Sequence, residues 1–356
     1  MLQESIEPVW LDAFEAVLGR CGLQAGDTVA VLSESQSRPV LPELARLAAA
    51  RRGAQVFSLV LPSVFGGAAV PVTRSTGASP VLRRIAPVVS ALAGSTLVVD
   101  CTVEGLMHAP ELPAILQGGA RVLYVSNEHP EALARLLPGD GLEPLVKEHV
   151  KRLRAARAMR VTSEAGTDLT ISLQGAACGG NWGYTTRPGT MTHWPGGLAL
   201  AFPAAGSVHG TLVLAEGDVN LTFKRYLERP VTLRIADDHV TAIEGQGVDA
   251  DLMRSYIAAW GDRNAEPGTH SDRNAYAVSH VGYGLNAAAR WDSMALYDKR
   301  DFNGTELRAF AGNFLYSTGA NEVAGRHTPG HFDLPLRHCT VALDGAVVVE
   351  AGKLLA

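Results

Sequence analysis

Cysteine is sparse and dispersed: Cys21, Cys101, Cys178 and Cys339 are the only four, and no two stand in C-x-x-C spacing. Neither a disulfide framework nor a zinc knuckle is therefore indicated. Long hydrophobic runs are missing too. No apolar stretch approaches the roughly 18 residues of a spanning helix, so no membrane partner is expected. Yet 47% of the 356 residues are apolar, enough for a sizeable core. Excess charge is also absent: the formal balance is -5, with no long block of like charges. The densest basic stretch, KEHVKRLRAARAMR (147–160), reads as the solvated face of a helix, and nucleic-acid binding is not expected. The opening MLQESIEPVW carries acids where a secretory signal would carry basic and then apolar residues, so a cytoplasmic location is expected. No GxGxxG follows an apolar strand and no GxSxG occurs, which removes the dinucleotide fingerprint and the serine-hydrolase elbow.

What is present is an alternation of amphipathic and apolar segments. VWLDAFEAVLGRCGL (9–23) has helical periodicity and ends in a glycine, and DTVAVLSE (27–34) reads as a buried strand. The pattern continues as helix at 41–54, strand at 55–62, helix at 79–94, strand at 95–102, short helix at 112–119 and strand at 121–126. This implies an α/β domain over residues 1–155, with a mostly parallel sheet and flanking helices. A helix at about 142–159 would join it to a second domain, 156–356, of β-rich α+β type. There, period-two stretches such as PVTLRIADDHVTAIEG and CTVALDGAVVVEAG, with DDH and DG turns, argue antiparallel pairing. One helix, at 249–261, interrupts it. Parallel sheets bind ligands beyond the carboxyl ends of their strands, so DCTVEGLMHAPE (100–111) is the first place to look.

Of the eleven histidines, His129, His149, His239 and His270 read as surface residues, and His209 as a turn or strand-end residue. TPGHFDLPLRHC (328–339) is different. In an extended segment residues i and i+2 point the same way, so His331 and Asp333 can face one metal while Phe332 turns into the core. Pro329, Gly330 and Pro335 argue a short, bent or edge strand. A three-ligand site needs another donor. AVSHVGYGLN (277–286) offers His280, ahead of two glycines that let backbone approach closely. Either motif alone is more simply a hydrogen-bonded polar group. Together they would suit Fe(II) with positions open for substrate and dioxygen, or zinc in a hydrolase. NWGYTTRPGTMTHWPGG (181–197) is either an aromatic loop packed between domains or a pocket wall, with Asn181 and His193 its polar groups for a small planar ligand. His108 follows a predicted strand end, where it can serve as a base or be an ordinary loop residue.

Taken as longer blocks, AVSHVGYGLN, RAFAGNFLYSTGAN (308–321) and TPGHFDLPLRHCTVALDG (328–345) resemble the 2,5-dihydroxypyridine 5,6-dioxygenase family. GTLVLAEGD, LMHAPE, the THWPGG loop and the EAGTDL turn (164–169) fit the same pattern in the same order, so the resemblance covers essentially the whole chain. These are non-haem iron enzymes of bacterial nicotinate and nicotine breakdown, with a fold like that of the M29 aminopeptidases. The resemblance implies a mononuclear Fe(2+) held by His280, His331 and Asp333. It makes His108 the acid/base that takes the substrate's hydroxyl proton, with Met107, Asn181 and His193 on the pocket wall. It implies insertion of both atoms of O2 into a hydroxypyridine ring, opening the carbon–carbon bond next to the nitrogen to give N-formylmaleamate. It also implies a homo-oligomer, a hexamer.

One position departs from the family. Asn181 stands where the family has a glutamate, so a carboxylate able to accept a proton or pair with a ring N–H becomes a neutral amide. Another hydroxylated heteroaromatic is therefore an alternative substrate. An M29-like metalloaminopeptidase is the other alternative. It needs two metals bridged by carboxylates, and the missing glutamate at 181, with few acids among the C-terminal motifs, speaks against it.

Overall fold

The computed structural model describes residues 5–64, 79–261, 273–297, 302–328 and 330–355. His270 and Pro329, and what was expected of them, lie outside these. The first part runs α1 (Pro8–Arg20), β1 (Thr28–Glu34), α2 (Val40–Arg51), β2 (Gln55–Leu61), α3 (Ala86–Ala93), β3 (Leu97–Asp100), α4 (Leu112–Gln117), β4 (Arg121–Tyr124), α5 (Pro130–Arg135) and α6 (Leu142–Ala155). Strands β2–β1–β3–β4 pair in parallel, as the alternation implies. Both faces are covered, which is why the strands read as continuous apolar runs. Val29, Val31, Leu97 and Val99 pack with Phe14, Leu18, Leu41 and Leu44 on one side. Ala30, Leu32 and Val98 pack with Leu92 and Ile115 on the other.

The expected helix at 79–94 is helical only over Ala86–Ala93: Pro87 sits in its first turn, and Arg84 just before it has φ +64. The helix expected to reach 159 stops at Ala155 for a tertiary reason. The Arg157 and Ala158 amides donate to the Asp344 carboxylate at 2.9 to 3.1 Å, turning the chain into a strand. His149 corrects another expectation. It lies on the buried stripe of α6 with Val146, Val150 and Leu153, its Nδ1 3.2 Å from the Tyr283 hydroxyl, and burial lowers its pKa.

The remainder comprises β5 (Ala158–Ser163), β6 (Asp168–Ser172), β7 (Ala177–Asn181), β8 (Met191–His193), β9 (Leu198–Phe202), β10 (Val208–Leu214), β11 (Val219–Asn220), β12 (Arg225–Tyr226), β13 (Val231–Ala236), β14 (His239–Glu244), α7 (Val248–Gly261), β15 (Val278–Gly284), α8 (Ser293–Leu296), α9 (Thr305–Ala309), β16 (Phe314–Thr318), β17 (Phe332–Leu336), β18 (Cys339–Leu343), β19 (Ala346–Glu350) and β20 (Lys353–Leu354). Among the described residues three antiparallel sheets result, ordered β14–β13–β10–β6–β5–β18–β19–β20, β17–β16–β15–β9–β7 and the two-stranded β11–β12. The first two share a core with α6 and α7. The DDH and DG turns are hairpin corners as read: Asp237, Asp238 and Asp344 adopt positive φ. One strand crosses back. β8 adds to the parallel sheet beside β4, Tyr124 pairing with His193. Among the described residues no helix is long and apolar enough to cross a membrane.

Candidate metal centre

Three neighbouring strands of one sheet bring the polar groups together. β15 carries His280, β16 carries Ser317 and β17 carries Asp333, with Ser317 directly opposite Asp333 in register. The pairing of β15 with β16 is irregular between Val278 and Val281, where His280 sits. His331, one residue before β17, is pinned through its backbone. Its amide donates to the Tyr256 hydroxyl at 3.1 Å, and its carbonyl accepts from Thr222 Oγ1 at 2.8 Å. All three candidate ligands are buried.

The hydrogen bonds orient them. Ser279 Oγ donates to the Ala320 carbonyl at 2.5 Å, so it can only accept from His280 Nδ1, 3.1 Å away. That places the proton on Nδ1 and leaves the Nε2 lone pair facing inward. His280 Nε2 lies 3.0 Å from Ser317 Oγ and 3.5 Å from Asp333 Oδ1, and His331 Nε2 lies 3.2 Å from the same oxygen. Ser317 also donates to Asp333 Oδ1. One hydroxyl proton thus faces two acceptors, an imbalance that invites a cation. Among the described residues His331 Nδ1 is buried with no hydrogen-bond partner, so within them one ring nitrogen is left over whichever tautomer is drawn. Arg308, from α9, grips the other oxygen of Asp333 with Nε at 2.7 Å and a terminal nitrogen at 2.6 Å, aiming Oδ1 at the histidines.

The electrostatics match this arrangement. Burial alone would raise the Asp333 pKa, but Arg308, His331 and His280 hold it well below the ordinary carboxylate value. Burial pushes His280 down to about 4. Imidazole nitrogens and a carboxylate oxygen are ligands for a borderline divalent metal. Donors about 2.1 Å from one ion and at right angles to each other lie about 3.0 Å apart, close to the spacings found. Among the described residues no group of three His, Cys, Asp or Glu side chains is arranged to hold a metal ion as it stands, and Ser317 Oγ contacts both His280 and Asp333.

The facing wall comes from the parallel sheet, at the carboxyl ends of its strands. His108, on the loop after β3, has its ring 5.3 Å from that of His331. Burial, with the imidazoles of His331 and His280, pushes its pKa down to about 3. Met107 is partly buried beside it. His193, at the end of β8, lies 4.7 Å from the Tyr124 ring, and burial followed by Arg308 lowers it to about 3. Phe202 packs 5.4 Å from His280. Sequence reasoning did not single out Arg308, Ser317 or Phe202. The first two lie within the quoted block RAFAGNFLYSTGAN, and a serine amid the strand FLYST was the available signal.

Asn181 stands apart from this group. Phe202, the neighbour of His280, pairs with Ala177, whereas Asn181 pairs with Leu198, four rungs or roughly 13 Å further along the sheet. Its amide is already engaged: Nδ2 donates to the Pro195 carbonyl at 3.2 Å, and Oδ1 accepts from the Gly183 amide at 2.9 Å and Thr192 Oγ1 at 2.8 Å. A separate cleft of about 660 Å³, lined by Lys147, Lys151, Trp182, Arg187 and Met191 among others, contains none of the donors.

The family model described as 2,5-dihydroxypyridine 5,6-dioxygenase matches residues 9–356. The curated 2,5-dihydroxypyridine 5,6-dioxygenase of Pseudomonas putida KT2440 is 37% identical over 347 residues, spanning 96% of this chain and 95% of the relative. The solved structure of 2,5-dihydroxypyridine dioxygenase from Pseudomonas putida KT2440 superposes with a TM-score of 0.87 at 36% identity, covering 98% of this chain and 97% of that one. AmpT from Thermus thermophilus, at 14% identity and a TM-score of 0.64 over 98% of this chain and 99% of its own, shares the fold.

Proposed function

The chain belongs to the 2,5-dihydroxypyridine 5,6-dioxygenase family, and from that premise we propose that it opens a dihydroxypyridine ring with dioxygen at a single divalent metal. His280, His331 and Asp333 would hold the metal, and iron(II) is the metal we assign. The observation that carries this is the proton deficit at the cluster, where more acceptor lone pairs converge than there are protons to fill them. Bound iron(II) supplies a Lewis-acidic, redox-active centre at which an electron-rich ring and dioxygen can meet.

The chain's own residues supply the rest. Neutral His108 can accept the proton of a substrate hydroxyl, because burial keeps its ring deprotonated at working pH. Met107, Phe202 and the His193 ring give the planar substrate apolar and aromatic walls. Arg308 keeps Asp333 ionised and oriented. Asn181 shapes the pocket at one remove, by holding Thr192, the neighbour of His193. Both oxygen atoms remain in the product, so 2,5-dihydroxypyridine and O2 add up to N-formylmaleamate with nothing lost. A two-metal peptidase is disfavoured by the ligand set, since among the described residues Asp333 is the one carboxylate paired with His280 and His331.

The same reading places the protein in the cytoplasm as a homo-oligomer, a hexamer, which light scattering on the eluting species checks. It divides the chain into units 1–155 and 156–356. The test of function is O2 uptake by anaerobically prepared, iron(II)-loaded protein given 2,5-dihydroxypyridine, with loss of the ring's ultraviolet absorbance followed in parallel. Stoichiometric uptake is expected. No uptake with one iron bound per chain would overturn the substrate, and no iron binding would overturn the centre.

A further inference from the structure

The His108 ring is placed by its backbone. Among the described residues no hydrogen bond to it is found, and its nearest ring neighbour is His331. The backbone in turn is closed by one carboxylate. Asp100, the last residue of β3, is fully buried. Its Oδ1 accepts from the Thr102 amide at 2.9 Å and the Thr102 hydroxyl at 2.6 Å, while Oδ2 accepts from the Leu106 amide at 2.9 Å. The two oxygens therefore tie together the two ends of the 102–106 turn, and the chain passes from Leu106 straight into Met107 and His108. Two further contacts seat the turn on the sheet. The Val103 amide donates to Glu34 Oε1 at 2.8 Å, and the Ser79 amide donates to the Gly105 carbonyl at 2.9 Å. Gly105 has φ +80, and a Cβ there would lie 2.9 Å from Ser126 Oγ, so the turn has one tight course.

We propose that Asp100 is a positioning residue that presents His108, with Met107 beside it, to the His280–His331–Asp333 cluster. The proposal rests on the dioxygenase reading for what His108 does, though not for where it is held. A carboxyl suits this place because the Thr102 and Leu106 amides donate to it from two sides, and either of its oxygens can accept whereas an amide offers one acceptor only. Burial pushes the Asp100 pKa up to about 7, against the pull of those donors, so the acid is retained here at a cost to stability. An asparagine of the same size would set its own N–H2 against either the Thr102 or the Leu106 amide and open one end of the turn.

The test is Asp100→Asn in the full-length, iron-loaded protein. Three quantities are read: metal per chain, kcat with KM, and the rate at which diethyl pyrocarbonate labels His108, located by mass spectrometry. Metal content is expected to stay as in the parent. Labelling of His108 should rise several-fold, and kcat should fall at least about tenfold, the scale of a misplaced catalytic group. Should Asp100→Asn fail to fold, Thr102→Val, which removes one donor and spares the acid, decides by the same labelling. Unchanged labelling of His108 in the folded variant would overturn the proposal. The labelling reads position alone, so it stands even if His108→Ala were fully active, a result that would instead sink the role given to His108.

Discussion

Replacing Arg308 by methionine should expose how the candidate centre is balanced. Arg308 makes two short contacts to one oxygen of Asp333, at 2.6 and 2.7 Å, and the two side chains are only 13% and 5% exposed. Removing one partner of a buried pair leaves an uncompensated charge and costs roughly 3–5 kcal/mol. The residual exposure of Arg308 argues for the lower end, about 3 kcal/mol. The sign with pH follows from the depressed Asp333 pKa. A carboxylate held below its unfolded value contributes stability that is present above about pH 4 and is lost as pH falls through the folded value. The difference between parent and Arg308→Met should therefore be full at pH 7 and shrink below about pH 4. A divalent metal would bring a replacement positive charge to Asp333, so metal should restore more stability to the variant than to the parent. The assay is the unfolding midpoint in chelator and in metal, at pH 7 and pH 3.5. A loss below about 1 kcal/mol at pH 7, or a difference that does not change with pH, would refute the argument.

Other outcomes are equally definite. His331→Ala should bind no iron and turn over no substrate, because two ligands hold iron(II) weakly; metal analysis reads this, and an iron-loaded, active variant would remove His331 from the ligand set. His108→Ala should keep its iron yet turn over roughly a hundredfold more slowly, as for a lost general base. Steady-state kinetics at saturating substrate measures this, and unchanged turnover would count against the role. In the metal-free protein, His108 and His193 should remain neutral at pH 5, because burial lowers both to about 3. Each then favours unfolding as pH falls from about 6.5 toward its folded value, since the unfolded state takes up the proton first. Histidine-labelled NMR spectra titrated from pH 8 to 5 check this, and a midpoint near 6.5 for either ring would contradict it.

Local pattern carried a large part of this molecule. The apolar runs of β1, β3 and β4 need cover on both faces, and the amphipathic helices between them provide it, so the parallel sheet was legible from periodicity. The i, i+2 spacing of His331 and Asp333 likewise brings both side chains to one side of the extended chain entering β17, with His331 Nε2 3.2 Å from Asp333 Oδ1. The ends of elements were less legible. The stop of α6 at Ala155 is set by Asp344, and nothing within the helix announces a carboxylate so far along the chain. His149 read as surface because its neighbours are charged, yet its own position falls on the buried stripe.

What the sequence by itself determined was a set of candidate donors and the chemistry they could carry: two histidines and one aspartate in recognisable blocks, and a histidine after a strand end. Only the tertiary structure decided how they meet. Ser317 stands between His280 and Asp333 because β16 lies between β15 and β17. Arg308 meets Asp333 across 25 residues, and His193 joins the site because three residues of the later chain complete the parallel sheet. The physical reason is that side-chain direction is a local property of backbone periodicity. Which side chains share a low-dielectric site, and so which protons and charges they must settle between them, depends on strand order and register, and no window along the chain contains those.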